Sequence, residues 1–428
     1  MLIENATLAD GRVRDVRVAG ERIVDVAEEI DGKTGETAID AEGLSLFPGA
    51  IDVHVHFRQP GFEHKETWET GSRSAAAGGV TTAVDQPNTD PPTTTGEAFD
   101  RKEALAADSL VNFGISGGVT PDWDPDSLFD RDLFALGEVF LADSTGDMGI
   151  EADLFADAVA RAAAEELVVT VHAEDADLFD QSARERDDAD AWSAYRTADA
   201  EAAAVEEAVG VAADSDADVH IAHTSTPEGV DAAKEGGATC EATPHHIFLS
   251  RDDLDELGTF GRMNPPLRSE ERREELFERV ADGTVDVVAT DHAPHTREEK
   301  DTDVWSAPSG VPGVETMLPL LLEAARQGRL TYERVRDLTA ANPAEIFDLP
   351  RKGRVEAGRD ADLVLFDPEE SREIRGGDLH SKCGWTPFEG WNGVFPELTL
   401  VRGKIVYERD PEDGDAFGDP VGENARQA

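Results

Sequence analysis

The chain has 428 residues, 39% of them hydrophobic, and 92 Asp plus Glu against 39 Lys plus Arg, giving a formal net charge of -53. That length and apolar content suffice for one large domain with a smaller companion, and apolar periodicity throughout excludes a disordered acidic polymer. No run of about 18 or more apolar residues occurs, so no transmembrane helix is expected, and so negative a field repels nucleic acid and anionic membranes, neither an expected partner.

The acids are spread along the chain rather than gathered in one tail. This is the pattern of a folded protein whose surface suits high salt, where self-repulsion is screened. Two cysteines, Cys240 and Cys383, make neither a disulfide framework nor a zinc-type C-x-x-C. The N-terminus lacks the basic-then-apolar pattern of a signal peptide. A reducing cytoplasm is therefore the expected compartment.

Residues 1–47 read as short strands, with turns at Gly11, Gly20 and Gly32. From Pro48 the texture changes: apolar, β-branched strands alternate with Ala- and acid-rich helical stretches. Eight strand candidates follow in order: GAIDVHVHF, VTTAVDQPNT, VNFGISGGV, LGEVFLADS, LVVTVHAED, ADVHIAHTST, ATCEATPHH and VDVVATDHAPH. Alternating strand and helix argues parallel pairing, and eight repeats predict a (β/α)8 barrel over residues 48–353. Short strands return over 354–410 and are expected to join residues 1–47 in a small composite β domain. Residues 411–428 read as a frayed tail.

The first barrel strand carries the chemistry most plainly. Alternation puts Asp52, His54, His56 and Arg58 on one face and Val53, Val55 and Phe57 on the other. Two buried imidazoles one residue apart can reach one divalent ion, although ordinary hydrogen bonds could also satisfy an isolated H-x-H. The other strand ends decide, because barrel chemistry sits at the C-terminal mouth. They bring Asn88, then Glu138 and Asp143, then His172, His223, and Asp291 with His292 and His295. These residues suggest a two-metal site: His54, His56 and Asp291 on one ion, His172 and His223 on the other, and one carboxylate bridging. Nitrogen and carboxylate ligands suit zinc, two ions per chain, and such a pair activates water toward a carbonyl carbon. Asp291 can carry the proton to a leaving nitrogen. His220, His245, His246 and His292 are read as outer or structural histidines.

DVHVHFRQPG, QPNT, VHAED, AHTS, MNPPLR, TDHAPH, SGVPGVET and SKCGWTPFEGW occur in one order from about Leu2 to Tyr407. In these motifs the chain resembles the amidohydrolase superfamily and, within it, the dihydroorotases, cyclic-amide hydrolases of pyrimidine biosynthesis. The resemblance implies the barrel, the composite β domain and a small-molecule substrate, and leaves a homo-oligomer open. It also implies that His56, Arg58, Asn88, Asn264, His295, Ser309 and Gly310 hold the substrate. Arg58 agrees with the residue-level reading, since a guanidinium beside the metals is a bidentate carboxylate receptor. Dihydroorotate and N-carbamoyl-aspartate carry that carboxylate; allantoin and simple dihydropyrimidines do not. Allantoinase or dihydropyrimidinase activity, and a metal-free scaffold, are the alternatives. Many relatives bridge their metals with a carboxylated lysine, and here Glu138 stands at the matching position. Asp143 is the alternative bridge; the two have opposite parity on an ideal strand, so one of them faces inward.

The charge balance makes a direct prediction. Lowering salt to about 0.1 M lengthens screening to roughly 10 Å, so the chain is expected to unfold or lose activity. Circular dichroism melts across a KCl series check this, and a midpoint independent of salt would refute it.

Overall fold

The computed structural model describes residues 1–142, 148–410 and 414–427. The N-terminal strands are β1 (Leu2–Leu8), β2 (Val13–Ala19), β3 (Arg22–Ala27), β4 (Ala38–Asp40) and β5 (Ser45–Pro48). Eight strands then alternate with helices: β6 (Ala50–Val55), β7 (Val80–Asp85), β8 (Asn112–Ile115), β9 (Leu136–Phe140), β10 (Val169–His172), β11 (Val219–Ile221), β12 (Thr239–Ala242) and β13 (Val287–Val288). The last set is β14 (Leu363–Phe366), β15 (Arg372–Glu373), β16 (Asn392–Gly393), β17 (Pro396–Val401), β18 (Lys404–Glu408) and β19 (Ala416–Phe417).

β6, β7 and β8 pair in parallel, as do β9 through β13. Single parallel bridges join the two groups, Gly117 with Leu136 on one side and Val55 with His292 on the other. The chain thus forms a closed (β/α)8 barrel, and closure removes the sheet edges. Every residue of β6, β7 and β9 is buried, as parallel strands covered on both faces require. The covering helices start at side-chain caps, among them Thr67, Thr95, Thr197 and Thr226. The longest, Ala198–Ser215, turns Ala204, Val205, Ala208, Val209 and Ala212 inward at helical spacing.

The second sheet runs β19-β18-β17-β14-β5-β1-β2-β3, with β4 also on β1. It is built from both ends of the chain, because β5 pairs with β1 on one side and β14 on the other. Ile3, Val16, Leu46, Leu363 and Leu400 fill its core. One residue, Gly49, separates β5 from β6. A Cβ there would sit 2.1 Å from the Thr81 side chain, so the sheet can feed the first barrel strand only through glycine.

The C-terminal segment corrects an expectation. Read as a frayed tail, residues 414–427 are instead held at two places, the second sheet and the barrel floor. Ala416–Phe417 extends the second sheet, Asn424 bridges to Phe113, and Ala425 is buried. Arg426 donates to the carbonyls of Leu133, Phe134 and Phe347 at 3.2, 2.6 and 2.8 Å. Those carbonyls lie at the barrel's N-terminal floor, and an arginine fork satisfies several at once. Among the described residues no helix is long and apolar enough to cross a membrane.

Deleting residues 422–428 should therefore leave buried acceptors unpaired, at about 1–3 kcal/mol each. The expected result is a lower thermal midpoint in molar KCl, with Arg426→Ala giving part of the loss. An unchanged midpoint for both would show that the docked segment contributes nothing.

Candidate metal centre

At the C-terminal mouth of the barrel, six of the expected donors converge. His54 comes from β6, His56 from just beyond it, Glu138 from β9, His172 from the end of β10, and His223 and Asp291 from the turns after β11 and β13. All six are buried. His54, His56 and Asp291 form one group of donor atoms within 4.8 Å of one another, and His54, Glu138 and His223 form another. Glu138 Oε1 lies 3.0 Å from His172 Nδ1 and 2.6 Å from His223 Nε2, while its Oε2 lies 3.3 Å from His54 Nε2. One carboxylate thus turns an oxygen to each histidine pair. Asp291 Oδ1 is 2.9 Å from His56 Nε2 and 3.6 Å from His54 Nε2. Asp143, the alternative bridge, lies outside the described residues.

The outward nitrogens have their own partners. His54 Nδ1 donates to Glu241 Oε1 at 2.8 Å, His56 Nδ1 to Asn88 Oδ1 at 2.6 Å, and His172 Nε2 to Glu174 Oε2 at 2.8 Å. Arg196 Nε backs Glu174 at 3.1 Å. Each outer acceptor fixes a tautomer and leaves the inward nitrogen with a lone pair. His54 Nε2, buried, has no hydrogen-bond partner. A neutral His172 spends its one proton on Glu174, so its Nδ1 and Glu138 Oε1 meet as lone-pair atoms 3.0 Å apart, with His223 Nε2 beside both. That convergence calls for a cation, and imidazole nitrogens with carboxylate oxygens are the donors that zinc-class cations take.

Charge in this cluster is held by its neighbours. Burial alone would push Glu138 toward neutrality, but His54 and His223 outweigh it and hold its carboxyl well below the usual range. Burial likewise opposes charge on His54, yet Glu138 and Glu241 hold its pKa well above the ordinary histidine value, so a cation taking the Nε2 lone pair displaces a proton from it. Three site residues also carry left-handed backbones: Arg58 at φ 65°, His223 at 33° and Asp291 at 45°. Such conformations in non-glycine residues cost on the order of 1 kcal/mol or more and gather at functional sites.

A small cavity beside the donors is lined by Asn88, Asn264, Ser309 and Gly310, together with His56, Glu138, His223, Asp291, Phe140 and Ala293. Asn264 Oδ1 accepts from Trp192 Nε1 at 2.9 Å and from Ser309 Oγ at 3.2 Å. His295 stands behind this lining at the Ser309 carbonyl, and Arg58 stands behind His295, its Nη2 3.2 Å from His295 Nε2. Arg58, 3% exposed, donates from Nε to the Pro294 carbonyl at 3.3 Å. Among the described residues no carboxylate lies within ion-pair distance of it, and burial lowers its pKa to about 10. His295 accepts from Lys65 Nζ at Nδ1, 3.1 Å, and donates from Nε2 to the Ser309 carbonyl, 2.9 Å.

The remaining histidines stand outside the donor set. His220 bonds Thr239 and Glu241, His246 bonds Thr243 and the Pro265 carbonyl, and His292 accepts from Gly313 and Val314. Burial takes His245 to about 3. Sequence reasoning missed Glu174, Glu241, Arg196 and Lys65. Two of these carried a signal: Glu174 lies two residues beyond His172, on the same face, and Glu241 is an acid inside a buried strand. Arg196 and Lys65 carried none.

A profile of the Amidohydrolase family matches residues 45–406. The chain belongs to the amidohydrolase family. Among amidohydrolase relatives, it is 70% identical over 428 residues to a dihydroorotase of Halobacterium salinarum, covering 100% of both chains. It is 43% identical over 417 residues to a dihydroorotase of Methanosarcina acetivorans, covering 93% of this chain and 89% of the relative. Of solved structures, it superposes on the L-hydantoinase of Arthrobacter aurescens with a TM-score of 0.92 at 28% identity, covering 99% and 98% of the two chains. A D-hydantoinase from a Thermus species gives a TM-score of 0.90 at 26% identity, with 99% and 98% covered. An amidohydrolase with these clustered donors uses a metal cofactor.

Proposed function

We propose that this amidohydrolase is a zinc-dependent dihydroorotase, which interconverts N-carbamoyl-L-aspartate and (S)-dihydroorotate in pyrimidine biosynthesis. The observation that carries this reading is Arg58, a buried guanidinium beside the donor cluster with no carboxylate partner among the described residues. Leaving such a charge buried and unpaired is costly, and a substrate carboxylate is the group that matches its fork. The dihydroorotase relatives support the same substrate.

His54, His56 and Asp291 would hold one zinc ion, His172 and His223 the other, with Glu138 shared. The metal pair supplies Lewis acidity toward a carbonyl and makes water more acidic. The protein's own groups do the rest. Arg58 receives the ring carboxylate, while Asn88, Asn264, His295 and the backbone of Ser309 and Gly310 surround the ring. His56 contributes its edge to the cavity as well as its nitrogen. Phe140 and Ala293 give the cavity its apolar lining. Burial opposes charge on Asp291, but His56 and His54 outweigh it and keep it anionic. In hydrolysis Asp291 takes a proton from the attacking water and delivers it to the leaving ring nitrogen as the C–N bond breaks. In ring closure it takes the proton from the ureido nitrogen and returns it to the departing water.

The hydantoinase likeness favours one alternative, a neutral cyclic amide as substrate. Arg58 separates the two. Arg58→Ala should cost about 1.5–3 kcal/mol against dihydroorotate, roughly a ten- to hundredfold fall in kcat/KM, with little change against dihydrouracil. Arg58→Lys should recover only part, because an ammonium lacks the fork. Equal losses on both substrates in side-by-side assays would remove the carboxylate reading.

The bridge makes a second prediction. Two close cations would repel, Glu138 would offset that repulsion, and each ion would keep its own histidine pair. Glu138→Ala and Glu138→Gln are therefore expected to bind about one zinc per chain and to lose orders of magnitude in turnover, while Asp143→Ala keeps two. Elemental analysis checks the count; one zinc in Asp143→Ala and two in Glu138→Ala would transfer the bridge to Asp143.

A further inference from the structure

Glu241 reaches both halves of the donor cluster without belonging to either. It projects inward from β12 and is 1% exposed. Its Oε1 accepts from His54 Nδ1 at 2.8 Å and from the backbone N–H of His223 at 3.1 Å. Its Oε2 lies 3.2 Å from His220 Nε2, and His220 Nδ1 lies 2.8 Å from Thr239 Oγ1. The Glu241 carbonyl also accepts from Thr224 N–H at 2.7 Å. One oxygen therefore sets the tautomer of a ligand candidate on β6 and grips the backbone of another after β11. The second oxygen is steadied by His220, which accepts a hydrogen bond from the Thr239 hydroxyl at Nδ1 and donates from Nε2.

Two features show what this grip accomplishes. With its proton drawn to Nδ1, His54 presents Nε2 as a bare lone pair, and that atom has no other hydrogen-bond partner. His223 sits at φ 33°, a conformation that its β-branch-free but bulky side chain adopts at a cost. The hydrogen bond to Glu241 holds that conformation, and His223 Nδ1 has no acceptor of its own. Glu174 differs: of the four histidines it touches His172 alone, and its remaining bonds go to Arg196.

We infer that Glu241 is a positioning residue that couples the two halves of the metal centre, so that its loss weakens both ions together, whereas loss of Glu174 weakens one. The inference rests on the two-zinc reading given above. It concerns how the chain presents its donors, and so metal affinity reports it directly, apart from turnover.

The test measures zinc stoichiometry and competition against a chromophoric chelator for the full-length wild type and the variants in molar KCl. Melting of each metal-stripped protein is followed in parallel. Glu241→Ala and Glu241→Met remove the acceptor, the second while keeping side-chain volume, and are expected to lower both zinc affinities by about 10- to 100-fold. Glu241→Gln is expected to recover most of the loss in both, because its amide oxygen still accepts from His54 Nδ1 and from His223 N–H. His220 can exchange tautomers to accept from the new amide. Glu174→Gln is expected to weaken one ion. Loss of a single ion in Glu241→Met, or wild-type affinities in it, overturns the coupling, as does failure of Glu241→Gln to recover while its stripped protein melts like the wild type. A wild type that binds no zinc yet hydrolyses dihydroorotate would instead overturn the two-zinc reading, and the inference with it.

Discussion

The structure depends on keeping a carboxylate charged where water cannot reach it. Glu138 is 2% exposed, and an isolated anion so placed would cost several kcal/mol or take up a proton. Its charge survives because three imidazoles face it, from β6, β10 and the turn after β11. Those imidazoles are held in turn. Glu241 and Glu174 occupy the outer nitrogens of His54 and His172, Glu241 also accepts from the His223 N–H, and Arg196 balances Glu174. Every member of the cluster is therefore held by groups on other strands, and the barrel is the scaffold on which those strands meet.

This dependence explains where the barrel is joined most thinly. β13 is two residues long, and its link to β6 is the single Val55–His292 bridge. The adjacent contacts are polar: Asp52 accepts from Thr290 N–H and hydroxyl at 3.0 and 2.6 Å, and His56 N–H donates to the His292 carbonyl at 2.8 Å. Closure at this seam rests on side chains as much as on the ladder. The same residues that close the barrel bring Asp291 beside His56. Nearby, the buried pair Lys102–Asp85 anchors the turn before Arg58, since Asp85 also accepts from Phe57 N–H at 2.6 Å. An ion pair with both members fully buried adds little net stability, but it fixes the direction in which the chain leaves β6.

Much of this was legible in the sequence. The eight strands and the composite β sheet follow from period-two alternation, β-branched runs and turn residues, signals that survive in one dimension because each is local. The convergence of the candidate donors was legible for the same reason: His54, His56, His172, His223 and Asp291 each sit at a recognisable strand end. The cavity residues Asn88, Asn264, Ser309 and Gly310 came from family motifs. What stayed hidden is long-range. Nothing local marks Glu241 as the acceptor for a histidine on β6, or Arg196 as the counterion of Glu174. The docked C-terminal segment was hidden too. PEDGDAFGDPVGENARQA has the composition of a loose end, and only the unpaired carbonyls of the barrel floor, far away in sequence, give Arg426 a reason to stay.

The sheet spliced from both chain ends has a consequence for how the protein is made. β5 has β1 on one side, available at once, and β14 on the other, more than three hundred residues later in synthesis. At ribosomal rates of roughly 5–20 residues per second, Leu46, Phe47 and Ser45 wait on the order of tens of seconds for their second neighbours. During that interval β5 is an open edge carrying apolar side chains, directly upstream of the strand with the histidine pair. Pairings of such sequence separation form slowly, so the newborn chain passes through a half-built sheet that must be kept from its neighbours on the polysome. The dense negative charge that surrounds it gives each nascent copy a means of repelling the next.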